Sequence, residues 1–192
     1  MSAPPLEFRP VTPERWPDLE ALFGPKGAYG GCWCMWFRLT RREFRAQQGE
    51  GNRRALKGLV DAGEVPGILA YAGGQPVGWC SVQPREAFPA LDRSRVSRRV
   101  DGRPVWSMVC FYVAPRFRHR GVMAALIRAA VEHAARHGAE VVEAYPVDPQ
   151  GGRIPGGSAY TGLVTAFQSA GFVEVARHTP GRPVVRYVIT GA

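Results

Sequence analysis

The sequence predicts one mixed α/β domain, with seven strands and four helices in the order β-α-α-β-β-β-α-β-α-β-β. Three observations carry that prediction. Segments of strand and helix period alternate from end to end with no linker-like shift in composition. The run Val105 to His137 reads as an apolar strand, a Pro-containing turn and an amphipathic helix. Ala139 to Val147 returns at once as another strand, which implies a parallel pair with a right-handed crossover. The 192 residues, 45% of them hydrophobic, suffice for one core that buries roughly two-thirds of the unfolded surface.

Taken in order, Leu6 and Phe8 alternate with Glu7 and Arg9 as a half-buried strand does, until Pro10 interrupts. Thr12-Pro13-Glu14 supplies an N-cap and a Pro for the first helical position. Trp16, Leu19, Leu22 and Phe23 follow at helical spacing as far as Gly24-Pro25. Thr40 to Ala62 reads as a helix with Phe44, Leu56, Leu59 and Val60 inward and a weak point at Gly49 to Gly51. Gly67 to Tyr71 and Pro76 to Val82 flank Gly73-Gly74-Gln75 as a hairpin. Pro84 to Val100 is a basic loop with room for one short helix through Phe88 and Leu91. After the Val105 strand, Met123, Leu126, Ile127, Ala130, Val131 and Ala134 form one apolar stripe, closed by Gly138. Asp148 to Gly157 is a Pro- and Gly-rich loop, Ser158 to Ala170 a short helix, and Val173 to Arg177 and Val184 to Ile189 two strands around Pro180-Gly181.

Lys and Arg number 25 against 16 Asp and Glu, a net charge of +9 that favours acidic ligands. Most of it is Arg, and no basic helix face carries interleaved aromatics, so nucleic acid is not expected as a partner. No apolar run approaches the ~20 residues a membrane span needs. The first residues lack a basic stretch followed by an apolar one, so no signal peptide is expected, and Cys32, Cys34, Cys80 and Cys110 read as reduced thiols of a cytoplasmic protein. Their spacing lacks paired CxxC knuckles, so no metal is expected. Tyr29 to Phe37 concentrates aromatic and sulfur side chains without a clean period. Its Trp33, Trp36 and Phe37 read as core or as the wall of a substrate pocket.

The stretch from Val105 to His137 carries the most chemistry. A strand that delivers Gly121 to a helix start gathers unpaired backbone N–H groups at the positive end of the helix dipole, which makes an anion site suited to phosphate. Arg116, Arg118, His119 and Arg120 beside it also admit a plainer reading, as a solvated charge run.

Arg118-His-Arg-Gly121-Val-Met123, placed between that strand and helix, resembles motif A of the GNAT superfamily of N-acetyltransferases, with Met123 where a Gly or Ala is usual and Ala124 next. Phe167-Gln-Ser-Ala-Gly171-Phe172 is similar to the end of the superfamily's motif B. The resemblance implies a mixed, mostly antiparallel sheet of about seven strands flanked by helices, with a parallel, splayed central pair, spanning 1–192. It implies acetyl-CoA as co-substrate: Arg118, His119, Arg120, Gly121, Val122, Met123 and Ala124 at its pyrophosphate, and the backbone of Phe111, Tyr112 and Val113 along its pantetheine arm. It further implies direct transfer to the primary amine of a small molecule or peptide.

Acyl transfer needs an acid for the departing thiolate and a base for the amine. Where the superfamily often has a Tyr acid, this chain has Phe167, so Tyr160 and Tyr145 are the candidate acids, and Glu143 and Asp148 the candidate bases. The missing Tyr also leaves open a CoA-binding module or sensor without transferase activity. Exposed last strands leave a homodimer open.

Overall fold

In the computed structural model, which describes residues 5–150, 152 and 159–189, the alternating segments become one seven-stranded sheet. Its strands are β1 (Leu6–Pro10), β2 (Gly67–Ala72), β3 (Gln75–Pro84), β4 (Trp106–Val113), β5 (Val141–Ala144), β6 (Val173–Thr179) and β7 (Arg182–Val188), in the order β1-β2-β3-β4-β5-β7-β6. Neighbours are antiparallel except β4 and β5, whose connection runs through a helix and which pair in parallel. That pairing spans only Trp106 to Met108 against Val142 to Ala144. A bulge on β4 opposite Ser81 and Val82 bends the strand just there, and beyond it β4 and β5 part.

The helices cover both faces. α4 (Val122–Arg136) and α5 (Val164–Ser169) lie on one, where Leu126, Ile127 and Ala130 pack against Ile68, Cys80 and Phe111. α1 (Trp16–Phe23), α2 (Arg41–Ala46) and α3 (Glu50–Asp61) contribute to the other core, where Trp16, Phe23, Leu56 and Trp33 surround Trp79. A smaller cluster holds Phe88, Leu91, Val109 and Tyr145.

Three boundaries differ from expectation. Thr40 to Ala62 is two helices, because Thr40 and Glu43 form a reciprocal capping box for α2 and Gly49, at φ 85°, turns the chain before α3. β5 stops at Ala144, three residues short, and Val147 pairs instead with Leu163 in a parallel bridge. The last helix begins at Val164, after a turn through Tyr160 and a left-handed Gly162, while its expected start at Ser158 lies outside the described residues.

Candidate active site

The turn that leads β4 into α4 is built by backbone conformation. Arg118 is extended, and its Nε donates to the Val113 carbonyl at 3.0 Å, tying the turn to the strand end. His119 (φ 59°) and Gly121 (φ 78°) are left-handed, so the chain reverses into the helix within three residues. Gly121 caps α4 without a side chain, and the first helical bond runs from the Ala125 N–H to the Gly121 carbonyl. The N–H groups of Val122, Met123 and Ala124 therefore lack helical partners, and no acidic side chain neutralises the first turn. This is a pre-formed site for negative charge.

These residues form one end of a cavity of about 770 Å³. The segment Ala28 to Phe37 contributes Tyr29, Cys32, Cys34, Trp36 and Phe37. β4 contributes Cys110 to Val113, and the turn before α5 contributes Tyr160 and Leu163. Every Asp and Glu of the chain is among the described residues, and none of them lines this cavity. It is a cavity with an anion-seeking end and a mainly aromatic and sulfur-lined wall.

The structure sorts the sequence candidates. Phe111, Tyr112 and Val113 line the cavity, and the Phe111 N–H donates to the Tyr160 carbonyl at 2.6 Å, so the turn before α5 sits against β4 where β5 has turned away. Arg118, His119 and Gly121 to Ala124 line it too, whereas Arg120 does not and lies with its guanidinium 5.9 Å from the Phe117 ring. Tyr160 sits on the wall with its ring 6.2 Å from that of Phe37, and burial raises its hydroxyl pKa. Trp36 and Phe37 are wall residues. Trp33 is not: it stacks on Trp16 at 6.0 Å in the core.

Glu143 and Tyr145 lie away from the cavity. Glu143 is 1% exposed and accepts from Arg85 at 3.0 Å, from the Tyr145 hydroxyl at 2.7 Å and from Arg186 at 2.7 Å. Tyr145 is equally sealed, and burial with the Glu143 charge drives its hydroxyl pKa far up. Two buried guanidinium groups hold this carboxylate, so the candidate base is enclosed in an ion-pair network and does not line the cavity. Asp148 also lies off the cavity, accepting from the Gln150 N–H at 3.1 Å and from Arg177 at 2.8 Å, bonds that hold its carboxyl below the usual range. Phe167 is fully buried between Phe111 and Phe172.

The fold brings three thiols, Cys32, Cys34 and Cys110, together on the cavity wall, a grouping that their sequence spacing does not show. Cys110, 76 residues further along the chain than Cys34, is brought to 3.1 Å from it by the fold. The crowding of sulfur in Tyr29 to Phe37 was a visible sign, but its partner on β4 is a long-range contact.

The family model described as "Acetyltransferase (GNAT) family" matches residues 33–152, the span that contains β4, the turn and α4. The chain belongs to this family. No curated protein sequence matches this GNAT chain. Among solved structures it is similar to a GNAT-family acetyltransferase from Streptococcus agalactiae, at 11% identity and TM-score 0.59 over 100% of this chain and 99% of that one. It also resembles the paia N-acetyltransferase of Thermoplasma acidophilum, solved with coenzyme A, at 12% identity and TM-score 0.54 over 98% and 100%. A third is a ribosomal-protein-alanine N-acetyltransferase from Brucella melitensis, at 20% identity and TM-score 0.52 over 95% and 99%. These likenesses show that the fold of the family extends over nearly the whole chain.

Proposed function

We propose that this GNAT chain transfers the acetyl group of acetyl-CoA directly to a primary amine, without a covalent enzyme intermediate. The observation that carries this reading is one cavity running from the uncapped start of α4 to the Tyr160 wall. In it, the N–H groups of Val122, Met123 and Ala124 bind the pyrophosphate, and Arg118 adds positive charge at the same end. The apolar wall excludes water from the thioester, which strengthens every dipole acting on it. Tyr160 keeps its proton at neutral pH and donates it to the departing thiolate.

With no side-chain carboxylate on the wall, the acceptor ammonium loses its proton to solvent. The logarithm of kcat/KM should then rise with pH at a slope of one and level off at the pKa of the acceptor itself.

A second reading, a CoA-binding module without transfer, is favoured by one observation: neither Phe167 nor any carboxylate supplies acid-base chemistry at the wall. CoA-thiol release measured with acetyl-CoA and a panel of amines separates the two. Release with at least one amine supports transfer. Tight CoA binding with no release on any amine supports the second reading.

A further inference from the structure

We propose that Cys34 and Cys110 form a reversible disulfide in response to peroxides, making the cavity wall an oxidative modification site. Four observations converge on this pair. The two sulfurs are 3.1 Å apart, about an ångström beyond a bonded pair, so a small side-chain movement closes the bond. Both residues line the cavity, Cys110 half-buried and Cys34 buried behind it, so hydrogen peroxide entering the cavity meets Cys110 first, whereas Cys80 is fully buried and is not among the cavity's lining residues. Cys34 is held in place: the Trp79 Nε1–H donates to its sulfur at 3.0 Å. Trp33 and Cys34 also both occupy left-handed backbone (φ 47° and 54°), a conformation disfavoured for residues with a Cβ.

The chemistry closes with the peroxide as sole oxidant. Cys110, the less buried of the two, first loses its proton to water, a step slowed because the hydrogen bond with Cys34 and burial push its thiol pKa up. Its thiolate then attacks one peroxide oxygen, breaking the O–O bond to leave a sulfenic acid and a hydroxide that regains the proton as the first water. The Cys34 sulfur then attacks the Cys110 sulfur, forming the S–S bond and expelling hydroxide, which takes the Cys34 proton to become the second water. Two electrons pass from the two sulfurs to the peroxide. A thiol reductant reverses the step by exchange. The bond joins the segment Ala28 to Phe37 to β4 and fixes that wall of the cavity.

The test uses the full wild-type chain, reduced, exposed to millimolar hydrogen peroxide, alkylated and peptide-mapped by mass spectrometry. The expected result is one cross-linked peptide pair joining Cys34 to Cys110, lighter by two hydrogens than the reduced pair and lost on treatment with dithiothreitol. The oxidised protein should also melt about 5–10 °C higher, because the cross-link restricts the unfolded chain. In Cys110→Ser both the cross-link and the melting shift should vanish. Alkylation of all four thiols after peroxide, a disulfide through Cys32 instead, or a melting shift that persists in Cys110→Ser would overturn the proposal. Should Cys110→Ser fail to fold, the wild-type peptide map decides alone.

Discussion

Tyr160 and Glu143 show how environment separates two groups that look alike in sequence. Tyr160 lies on the cavity wall and, like any phenol, carries its proton at neutral pH, while burial raises its pKa, so the proton passes only to a strongly basic group such as a departing thiolate. Tyr160→Phe should lower kcat by about 10²- to 10⁴-fold with KM little changed; unchanged kcat in steady-state kinetics would remove Tyr160 from the chemistry. Glu143 is not among the cavity's lining residues, and Arg85, Arg186 and Tyr145 bond its buried carboxylate. Glu143→Ala should leave two buried guanidinium groups without their shared counter-ion and cost about 3–5 kcal/mol in urea unfolding. An unchanged unfolding midpoint with lost turnover would restore it as a base. Nothing in the local string Val141 to Asp148 distinguishes these outcomes, because Arg85 and Arg186 come from distant parts of the chain.

At the scale of elements, the strand, turn and helix from Val105 to His137 were legible almost to the residue. Strand period, Pro, Gly and helical stripe there all agree, and the anion site follows from backbone geometry alone. Gly49 signals the break in Thr40 to Ala62, and the capping box of Thr40 with Glu43 makes two helices of it. The short β5 was not legible: Tyr145 to Val147 look like strand, but they leave β4 where the bulge bends it away.

The seating of α4 rests on Gly78 of β3. A Cβ there would stand 2.9 Å from Leu126 Cδ1 and 3.1 Å from Val122 Cγ1, so any larger residue displaces these two side-chain ends of the helix. Gly78→Val should push α4 off the sheet, destabilise the fold by about 1–3 kcal/mol and weaken CoA binding together with stability. Thermal unfolding and calorimetry on the same variant check both halves.

For the whole molecule, one buried histidine ties stability to pH. His133 of α4 packs between Trp106 and His137, and burial, with the nearby His137 and Arg136 charges, lowers its pKa from 6.5 to about 4. The unfolded chain therefore binds the extra proton between those values. The stabilisation is complete above pH 6.5 and is lost as pH falls toward 4. His133→Leu should flatten urea-unfolding free energies across that window, and an unaltered slope would mean the histidine does not titrate there.

Across the molecule, the unneutralised helix start, the bulged strand and the apolar wall share one cavity, and the central claim is that this cavity holds acetyl-CoA by its pyrophosphate at Gly121. Calorimetric titration of acetyl-CoA into the wild-type chain and into Gly121→Asp tests it most directly. One molecule should bind per wild-type chain, and binding should be lost in the variant, which places a carboxylate and a strained left-handed Cβ at the helix start. No binding heat from the wild type at millimolar acetyl-CoA, or equal affinity in both proteins, would contradict it.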